Sequence, residues 1–196
     1  MNKRIGLALG AVALLLQANV AGAQDLSYDY IEARYVDTTI DGNGGGDIDG
    51  DGFEFGGSFK IAENYHLFGS FQSIDYDFNL DFTALEIGAG YMLPVAAGTD
   101  FVARLAYVNG EVDTVFGDAD DSGFAASVGF RQVFLPQLQG AAFIKHINLD
   151  ESGSDTGLEL EGEYFFNNQF SGGLSVEFSD DTTTWGLGAR LYFGKF

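Results

Sequence analysis

Apolar residues alternate with small or polar ones along most of the chain beyond residue 25. Ten segments with this alternation can be delimited: 26–37, 52–61, 66–76, 82–93, 101–111, 122–134, 138–148, 157–166, 170–179 and 183–194. A period of two indicates a β-strand between an apolar and a polar environment. Amphipathic segments of about ten residues are typical of barrels that cross a membrane. The pattern predicts an all-β chain, a closed antiparallel up-and-down transmembrane β-barrel of ten strands.

The two faces of these segments differ in kind. The second segment places Phe53, Phe55 and Phe59 on one side and Glu54 and Lys60 on the other. The fourth, sixth, eighth and tenth segments separate in the same way. A soluble antiparallel barrel or sandwich also alternates, but it would turn its Lys and Glu residues outward. Here the charges share a face with glycine and serine, which favours lipid outside and a narrow, wet lumen inside.

Two segments separate less cleanly. In the first, Tyr28 and Tyr30 share a side with Glu32, and in the third, Phe68 and Ile74 share a side with polar residues. This mixture predicts that one of the two strands is bulged or partly out of phase. If two of the ten segments were loops, the barrel would have eight strands.

The connections alternate between two kinds. Those after the second, fourth, sixth and eighth segments are short, whereas the others are rich in Asp and Gly and the first is the longest. Short turns on one rim and longer loops on the other are the arrangement of outer-membrane barrels. With an even strand count, both ends of the chain are expected on the short-turn, periplasmic side.

Residues 1–23 have the features of a secretory signal peptide, which leaves 24–196 as one barrel domain. Lys3 and Arg4 form a basic start, residues 5–16 are apolar, and residues 21–23 fit the small-x-small cleavage rule. No later stretch approaches the ~20 apolar residues that a spanning helix needs. A membrane protein without such a stretch must be a closed barrel, because every backbone polar group in lipid needs an internal partner.

Charge and composition exclude several classes of function. The net charge is −20, and loss of Lys3 and Arg4 with the signal peptide would make it −22. Such acidity argues against nucleic acid as a partner, since phosphate binding needs clustered Lys and Arg. The chain has no cysteine, so it holds neither a disulfide framework nor a thiolate metal site.

The charged residues of the strands favour the small or polar face. Six of the seven basic residues beyond the cleavage site take that face: Arg34, Lys60, Arg104, Arg131, Lys145 and Arg190. Seven glutamates take the same face: Glu32, Glu54, Glu86, Glu159, Glu161, Glu163 and Glu177. An Arg or Lys at mid-bilayer on the lipid face would cost ~2–4 kcal/mol. Side chains fill the interior of so small a barrel, so we expect these charges to pair and to plug the lumen; the alternative is a hydrated channel with mobile charges.

Most aspartates map to the long-loop rim. There are sixteen: Asp37, Asp41, Asp47, Asp49, Asp51, Asp75, Asp77, Asp81, Asp113, Asp118, Asp120, Asp121, Asp150, Asp155, Asp180 and Asp181. They predict an acidic extracellular crown. Lipopolysaccharide phosphates are also anionic, so contact with them would need bridging divalent cations. The alternative is a set of flexible, solvated loops.

Within the first loop, Asp47, Asp49 and Asp51 alternate with other residues and end in a turn glycine. Oxygen ligands at alternate positions are how an EF-hand loop binds Ca²⁺. The twelfth position would be Ser58 rather than Glu, and the flanks are strands, so the calcium hypothesis competes with a simple Gly/Asp-rich loop. No other cofactor is indicated.

The two histidines are the remaining candidates for chemistry. His66 follows a short turn and is expected at the periplasmic mouth. His146 near the outer rim, with Asp150 and Asp155, would be the acid–base group of a rim enzyme acting on lipid or peptide. No serine lies two or three residues from His146, and a solvent-facing histidine is the simpler interpretation. The sequence therefore predicts no catalytic residues.

Three stretches resemble a known family. Residues 26–32, the turn at 62–69 and the aromatic C-terminal strand look like those of small porin-like outer-membrane proteins of xanthomonads and related gammaproteobacteria, which are more distantly similar to OmpA/OmpX-type barrels. The resemblance covers the whole chain beyond the signal peptide. It implies outer-membrane location, insertion by the barrel-assembly machinery and a role in surface properties, adhesion or stress.

The resemblance also implies a C-terminal assembly signal, with apolar residues at alternate positions back from the last aromatic. Phe193, Leu191 and Ala189 fit one phase, whereas Phe196 falls in the other. Either a bulge lies at Gly194 or the lipid face ends at Phe193. Together these features predict a monomeric, plugged barrel in contact with outer-membrane lipid and lipopolysaccharide, with a structural or surface-interaction role. The main alternative is a narrow cation-preferring channel for small solutes.

Overall fold

The computed structural model describes residues 26–42, 45–77, 80–114 and 117–193. The strands are β1 (Tyr30–Ile40), β2 (Ile48–Ala62), β3 (Tyr65–Tyr76), β4 (Leu80–Ala96), β5 (Thr99–Thr114), β6 (Gly117–Leu135), β7 (Leu138–Leu149), β8 (Gly153–Phe165), β9 (Phe170–Phe178) and β10 (Thr182–Tyr192). Among the described residues, no helix has the length and apolarity to cross a membrane. The signal peptide expected at 1–23 and the terminal Phe196 lie outside the described residues.

Each strand pairs antiparallel with its sequence neighbours, and β1 pairs with β10 to close a barrel. The ten-stranded barrel is therefore confirmed, and the eight-strand alternative is wrong. The register can be followed from Glu32 in β1 to β8 in two directions. The route through β2 to β7 ends at Gly153, and the route through β10 and β9 ends at Phe165. This stagger of twelve residues means that the strands are tilted, typically by about 35–45° in such barrels.

The turns at the periplasmic end are short, as the sequence predicts. The loops at the outer end are also short, because the strands extend further into them than the sequence predicts. β2 begins at 48 instead of 52, and β6 begins at 117 instead of 122. Ten of the rim aspartates belong to strands in the structure: Asp37, Asp49, Asp51, Asp75, Asp81, Asp113, Asp118, Asp120, Asp121 and Asp155. Asp and Gly have low strand propensity, but the hydrogen-bonded neighbours of a continuing hairpin override it.

Large apolar side chains form a broad belt on the outside of the barrel. Phe53, Leu105 and Phe124 are 57%, 61% and 62% exposed. A soluble monomer rarely exposes a contiguous apolar surface of this extent. In a bilayer the same belt meets acyl chains, and each strand pairs its backbone with both neighbours in the closed sheet.

The phase of β1 and β3 is regular, so the expected bulge is wrong. The pairing of β1 with both neighbours is continuous from Tyr30 to Ile40, and the one register shift between β2 and β3 lies at their turn. Tyr28, Tyr30 and Ile74 are buried inside the barrel. Tyr28 and Tyr30 share a face with charges because each belongs to a buried apolar cluster inside the barrel.

Candidate functional site: the lumen

An apolar core lies inside the barrel at the periplasmic end of the lumen. Tyr28, Met92, Val102, Ala141 and Phe143 form one buried cluster. A second buried cluster of three aromatic rings lies beside β1 and β10: Tyr30, Phe165 and Tyr192. Both clusters place large side chains inside the barrel at this end.

Glycines on the lumen face make room for this filling. A Cβ at Gly90 would overlap the imidazole of His66, which is almost completely buried. A Cβ at Gly188 would overlap the side chain of Arg34. The small residues that share the charged face thus provide the space in which larger lumen groups lie.

Three arginines stack on aromatic rings in this half of the barrel. The guanidinium carbon of Arg104 lies 4.2 Å from the ring centre of Phe143 and 5.5 Å from that of Phe68. Arg131 and Arg190 lie 4.7 Å from the ring centres of Tyr28 and Tyr30, respectively. A cation over an aromatic face is attracted by its quadrupole, most strongly where water is excluded.

A charged layer follows towards the outer end. Glu161 Oε1 accepts hydrogen bonds from Arg34 Nη2 at 3.2 Å and from Arg190 Nη2 at 3.0 Å. Glu32 accepts from Arg34 Nη2 at 2.8 Å and from Arg190 Nε at 2.6 Å. Glu54 lies at 3.7 Å from Arg34. Because Glu161 is on β8 and Arg34 on β1, the layer joins strands that are not neighbours.

Glu163 extends the charged layer towards the aromatic core. Its carboxylate accepts from Arg190 Nη1 at 3.3 Å and from the Tyr192 hydroxyl at 2.7 and 2.9 Å. The Ser171 hydroxyl also donates to it. Tyr192 and Ser171 are uncharged, so only their position on the lumen face marks them in the sequence.

A small cavity lies against this layer. It has a volume of about 20 Å³, and residues of β8, β9 and β10, including the outward-facing Leu174, line it together with Glu32, Arg34, Glu161 and Arg190. A water molecule needs about 10–15 Å³ by this kind of measure, so about one water fits. We call these four residues the charged layer from here on.

Four further lumen charges predicted from the sequence lie outside this layer. Lys145 Nζ on β7 lies 2.7 Å from Glu86 Oε2 on β4, which forms a second link between non-adjacent strands. Glu159 and Glu177 face each other directly between β8 and β9, and within the described ranges neither carboxylate has a cation at ion-pair distance. The outer half of the lumen therefore carries more carboxylates than cations.

Lys60 and Arg131 do not join the charged layer. Lys60 is exposed at the periplasmic rim, where its backbone N–H donates to Asp29. Arg131 is buried, and its Nη1 donates to the backbone carbonyl of Ser27 at 3.1 Å. The sequence pattern locates the ends of strands only approximately, so it does not predict how far along the barrel axis these two residues lie.

Above the charged layer the lumen widens into a cavity of about 460 Å³ at the outer end. Its lining contains one lysine and six acidic residues: Lys145, Glu54, Glu86, Glu177, Asp120, Asp121 and Glu151. Apolar side chains from β3, β4, β5 and β7 complete the wall. We call this cavity the vestibule.

No protein-family model matches the chain, and no curated protein matches it. Among solved structures, the translocator domain of the autotransporter NalP from Neisseria meningitidis is similar with a TM-score of 0.50 and 12% identity, over 97% of this chain and 95% of that one. KdgM porin has a TM-score of 0.47 and 10% identity, over 84% and 99%. Ail of Yersinia pestis has a TM-score of 0.44 and 14% identity, over 85% and 100%.

The chain is an outer-membrane β-barrel. At these identities the likeness shows the fold alone, and the exposed apolar belt is the feature that fits this barrel to a membrane. Phe193, at the end of β10, lies on the outward side with its ring 5.1 Å from that of Phe59. It thus continues the lipid-facing phase of the strand, whereas Phe196 lies outside the described residues.

Six aspartates form one continuous row on the outside of this outer-membrane barrel. Their backbones are paired in register across six consecutive strands, in the order Asp37, Asp51, Asp75, Asp81, Asp113, Asp118. All six are exposed. Directly opposed residues have Cβ atoms about 4.5–5.5 Å apart, and like charges at that spacing destabilise a sheet. We call this arrangement the aspartate row.

The aspartate row rises away from the apolar belt because the strands are tilted. In β1, Asp37 lies two residues beyond the lipid-facing Tyr35, whereas in β6 Asp118 lies six residues beyond Phe124. The Lys and Arg side chains in the described part of the chain face the lumen or the periplasmic rim. The row therefore has no basic side chain beside it.

The calcium candidates do not converge on one point. Asp49 and Asp51 belong to β2, where the chain is extended, and Asp49 accepts a hydrogen bond from the Thr39 hydroxyl at 2.9 Å. An EF-hand loop instead curls around its ion. Across the described ranges, no group of three or more His, Asp or Glu residues is arranged to hold a metal ion.

The proposed acid–base pair of a rim enzyme does not form either. His146 Nδ1 lies 2.8 Å from the Thr156 hydroxyl, its register partner on β8. Asp155 precedes Thr156 in the strand and so points to the opposite face of the sheet. Its carboxylate accepts from the backbone N–H groups of Thr156 and Asp180.

Proposed function

We propose that this outer-membrane barrel is closed to solutes and has a structural and surface-interaction role. The observation that carries the proposal is the charged layer, in which Arg34 and Arg190 share Glu161 and Glu32. This layer lies between the apolar core at the periplasmic end and the vestibule at the outer end.

The charged layer resists rearrangement for an electrostatic reason. Its four side chains are between 7% and 15% exposed. Removing one partner of a buried ion pair strands the other charge and costs about 3–5 kcal/mol. Because each of the two arginines has two carboxylate partners here, a single side chain cannot leave without breaking several charge-assisted hydrogen bonds. The layer is therefore expected to stay closed on average.

Liposome swelling tests the closed barrel. Purified protein would be reconstituted into liposomes that are then placed in an isotonic solution of a small neutral sugar. We expect swelling no faster than in protein-free liposomes. Glu63→Gln, at an exposed periplasmic turn, is the control variant and should behave like the wild type. Rapid swelling by the wild-type protein would overturn the proposal.

A narrow cation-preferring channel is the second candidate, and the vestibule is the observation that favours it. Six carboxylates and one lysine line that cavity, and an acidic mouth raises the local concentration of cations. Under a salt gradient, a channel of this kind would show a reversal potential of the sign expected for cation flow. A closed barrel would show no steady current from which to measure one.

The partner we propose is the outer leaflet, including the lipopolysaccharide phosphates, through divalent cations held at the aspartate row. The support is the register of six exposed carboxylates without a basic neighbour. Ca²⁺ takes six to eight oxygen ligands, more than two neighbouring aspartates supply, so phosphate and water oxygens would complete the shell. Such bridging would relieve the repulsion along the row.

The remaining proposals follow from the sequence pattern. We propose a monomer that is inserted by the barrel-assembly machinery through its terminal aromatic residues, Phe193 and Phe196. We propose no enzymatic activity, since His146 is partnered by Thr156 and turned away from Asp155. Membership of the small porin-like family of xanthomonads is likewise a proposal, supported by the stretches at 26–32 and 62–69.

A further inference from the structure

The four residues before β1, Leu26 to Asp29, lie in the periplasmic mouth of the lumen. Tyr28 is 3% exposed, Ser27 is also buried, and Leu26 packs against the apolar core that Tyr28 shares with Phe143. None of the four belongs to a strand. We call this segment the strap.

The strap contacts the wall opposite the strand that it precedes. β1 has β2 and β10 as neighbours, and β6 is farthest from it in a ring of ten. The Tyr28 hydroxyl donates to Oδ2 of Asp100, the second residue of β5, at 2.9 Å. Arg131 on β6 donates to the Ser27 carbonyl at 3.1 Å and stacks on the Tyr28 ring. The strap therefore crosses the mouth from one side to the other.

Within the strap, Ser27 and Tyr28 are held by side chains of the barrel wall, and only Asp29 bonds to a neighbouring strand end through the backbone. Asp29 anchors its end: its carbonyl accepts from the Phe193 N–H at 3.1 Å and its carboxylate accepts from the Lys60 N–H at 2.7 Å. The preceding residues can therefore leave the mouth without breaking any pairing between strands. The closed position also leaves the Nδ1 of His66, whose ring lies 4.9 Å from that of Tyr28, buried and without a hydrogen-bond partner. An unsatisfied buried polar atom opposes the closed position, because water would satisfy it in the open one.

We propose that the strap is a releasable seal of the periplasmic mouth, in series with the charged layer. The inference rests on the proposed closed barrel. Two seals in series block the lumen as long as either is intact, so opening one has little effect on conductance and opening both has a large one. Asp29 is the pivot of the strap, and Asp100 and Arg131 stabilise its closed position.

A set of variants in planar bilayers tests this arrangement. Tyr28→Ala opens the strap, and the charge-balanced pair Arg34→Ala with Glu161→Ala opens the charged layer. We expect the conductance of the strap variant and of the charged-layer variant to stay near that of the bare bilayer. The variant that combines all three substitutions should conduct at least about tenfold more than either, since coupled elements are non-additive. Tyr35→Ala, which deletes an outward-facing tyrosine from β1, is the control and should add nothing to the charged-layer variant.

The outcomes separate this inference from the proposal on which it rests. If the charged-layer variant alone conducts as well as the combined variant, the strap is not a seal. If the wild type conducts steadily, the closed barrel itself fails. Should Tyr28→Ala not fold, Asp100→Ala leaves the strap sequence intact and removes its hydroxyl acceptor, with the same expectation in combination.

Thiol labelling gives a second, independent measurement. The chain has no cysteine, so Ala141→Cys places one thiol beneath the strap, in contact with the cluster that includes Tyr28. We expect this thiol to react with a water-soluble reagent at least about tenfold faster in the Tyr28→Ala background, because reaction requires exposure of the thiolate. Equal rates in folded protein with and without Tyr28 would overturn the proposal.

Discussion

Arg34 and Arg190, on adjacent strands, donate to the same carboxylate oxygen of Glu161, at 3.2 and 3.0 Å. Two like charges are held together here by one acceptor on β8 and a second, Glu32, on β1. Neither arginine alone defines the layer. Its stability depends on the carboxylates that both share.

Glu161→Gln should therefore destabilise the barrel. It leaves two buried guanidinium groups with one carboxylate fewer, and the loss of a buried partner costs about 3–5 kcal/mol. Denaturant unfolding in detergent or lipid, followed by the shift between folded and unfolded bands on a gel, would measure the change. The exposed Glu63→Gln is the matched control and should change the free energy of unfolding by less than about 0.5 kcal/mol. Equal effects of the two substitutions would contradict a structural role for the charged layer.

A positive charge should be tolerated in the lumen and not on the lipid face. Leu187 is 62% exposed on the outside, and Leu187→Lys should cost about 2–4 kcal/mol if it lies near mid-bilayer. Gln72 lines the vestibule among carboxylates, so Gln72→Lys should cost less than Leu187→Lys. The free energies of unfolding in lipid vesicles would be compared. The reverse order would mean that the faces are assigned the wrong way round.

Divalent cations should stabilise the barrel through the aspartate row. An ion that binds only the folded state at ten times its Kd contributes about 1.4 kcal/mol, or about 3–6 °C in Tm for a chain of this size. We expect Ca²⁺ or Mg²⁺ to raise the Tm in lipopolysaccharide-containing vesicles, relative to sodium at matched ionic strength.

The variants for this test remove equal charge from two places. Asp75→Asn with Asp81→Asn interrupts the row at a directly paired position. Asp180→Asn with Asp181→Asn removes two exposed charges from the β9–β10 turn, outside the row. The first pair should abolish most of the divalent effect and the second should preserve it. An equal loss in both would show that only total charge matters.

Folded barrel should also migrate differently from heated protein on a gel. Closure between β1 and β10 pairs all ten strands, and such a sheet has no open edge at which detergent-solvated unfolding can start. We expect a compact, faster band without heating and a slower band after boiling. A single band under both conditions would argue against a stable closed barrel.

The fold is predictable from this sequence because alternate residues of each strand face two different environments. Phe53 and Phe55 face lipid, Glu54 faces the lumen, and the same contrast repeats in most strands. Register is not predictable in this way. That Asp75 lies opposite both Asp51 and Asp81 follows from pairing between strands, which no pattern within one segment reveals.

The lumen was predictable as a set of residues but not as a geometry. The alternation predicts that the charges face the lumen, but the position of each charge along the barrel axis decides its partners. Arg131 reaches the Ser27 carbonyl rather than a glutamate, and Lys60 lies at the rim. An aromatic residue beside a charge suggests a bulge, but Tyr28 and Tyr30 lie in buried apolar clusters on the same inner face as the charges.

Single-channel recording of the wild-type protein in a planar bilayer tests the central claim most directly. We propose that the charged layer and the apolar core close the lumen, so we predict no steady conductance above that of the bare bilayer at moderate voltage. A stable, reproducible open level in the unmodified protein would contradict the closed lumen.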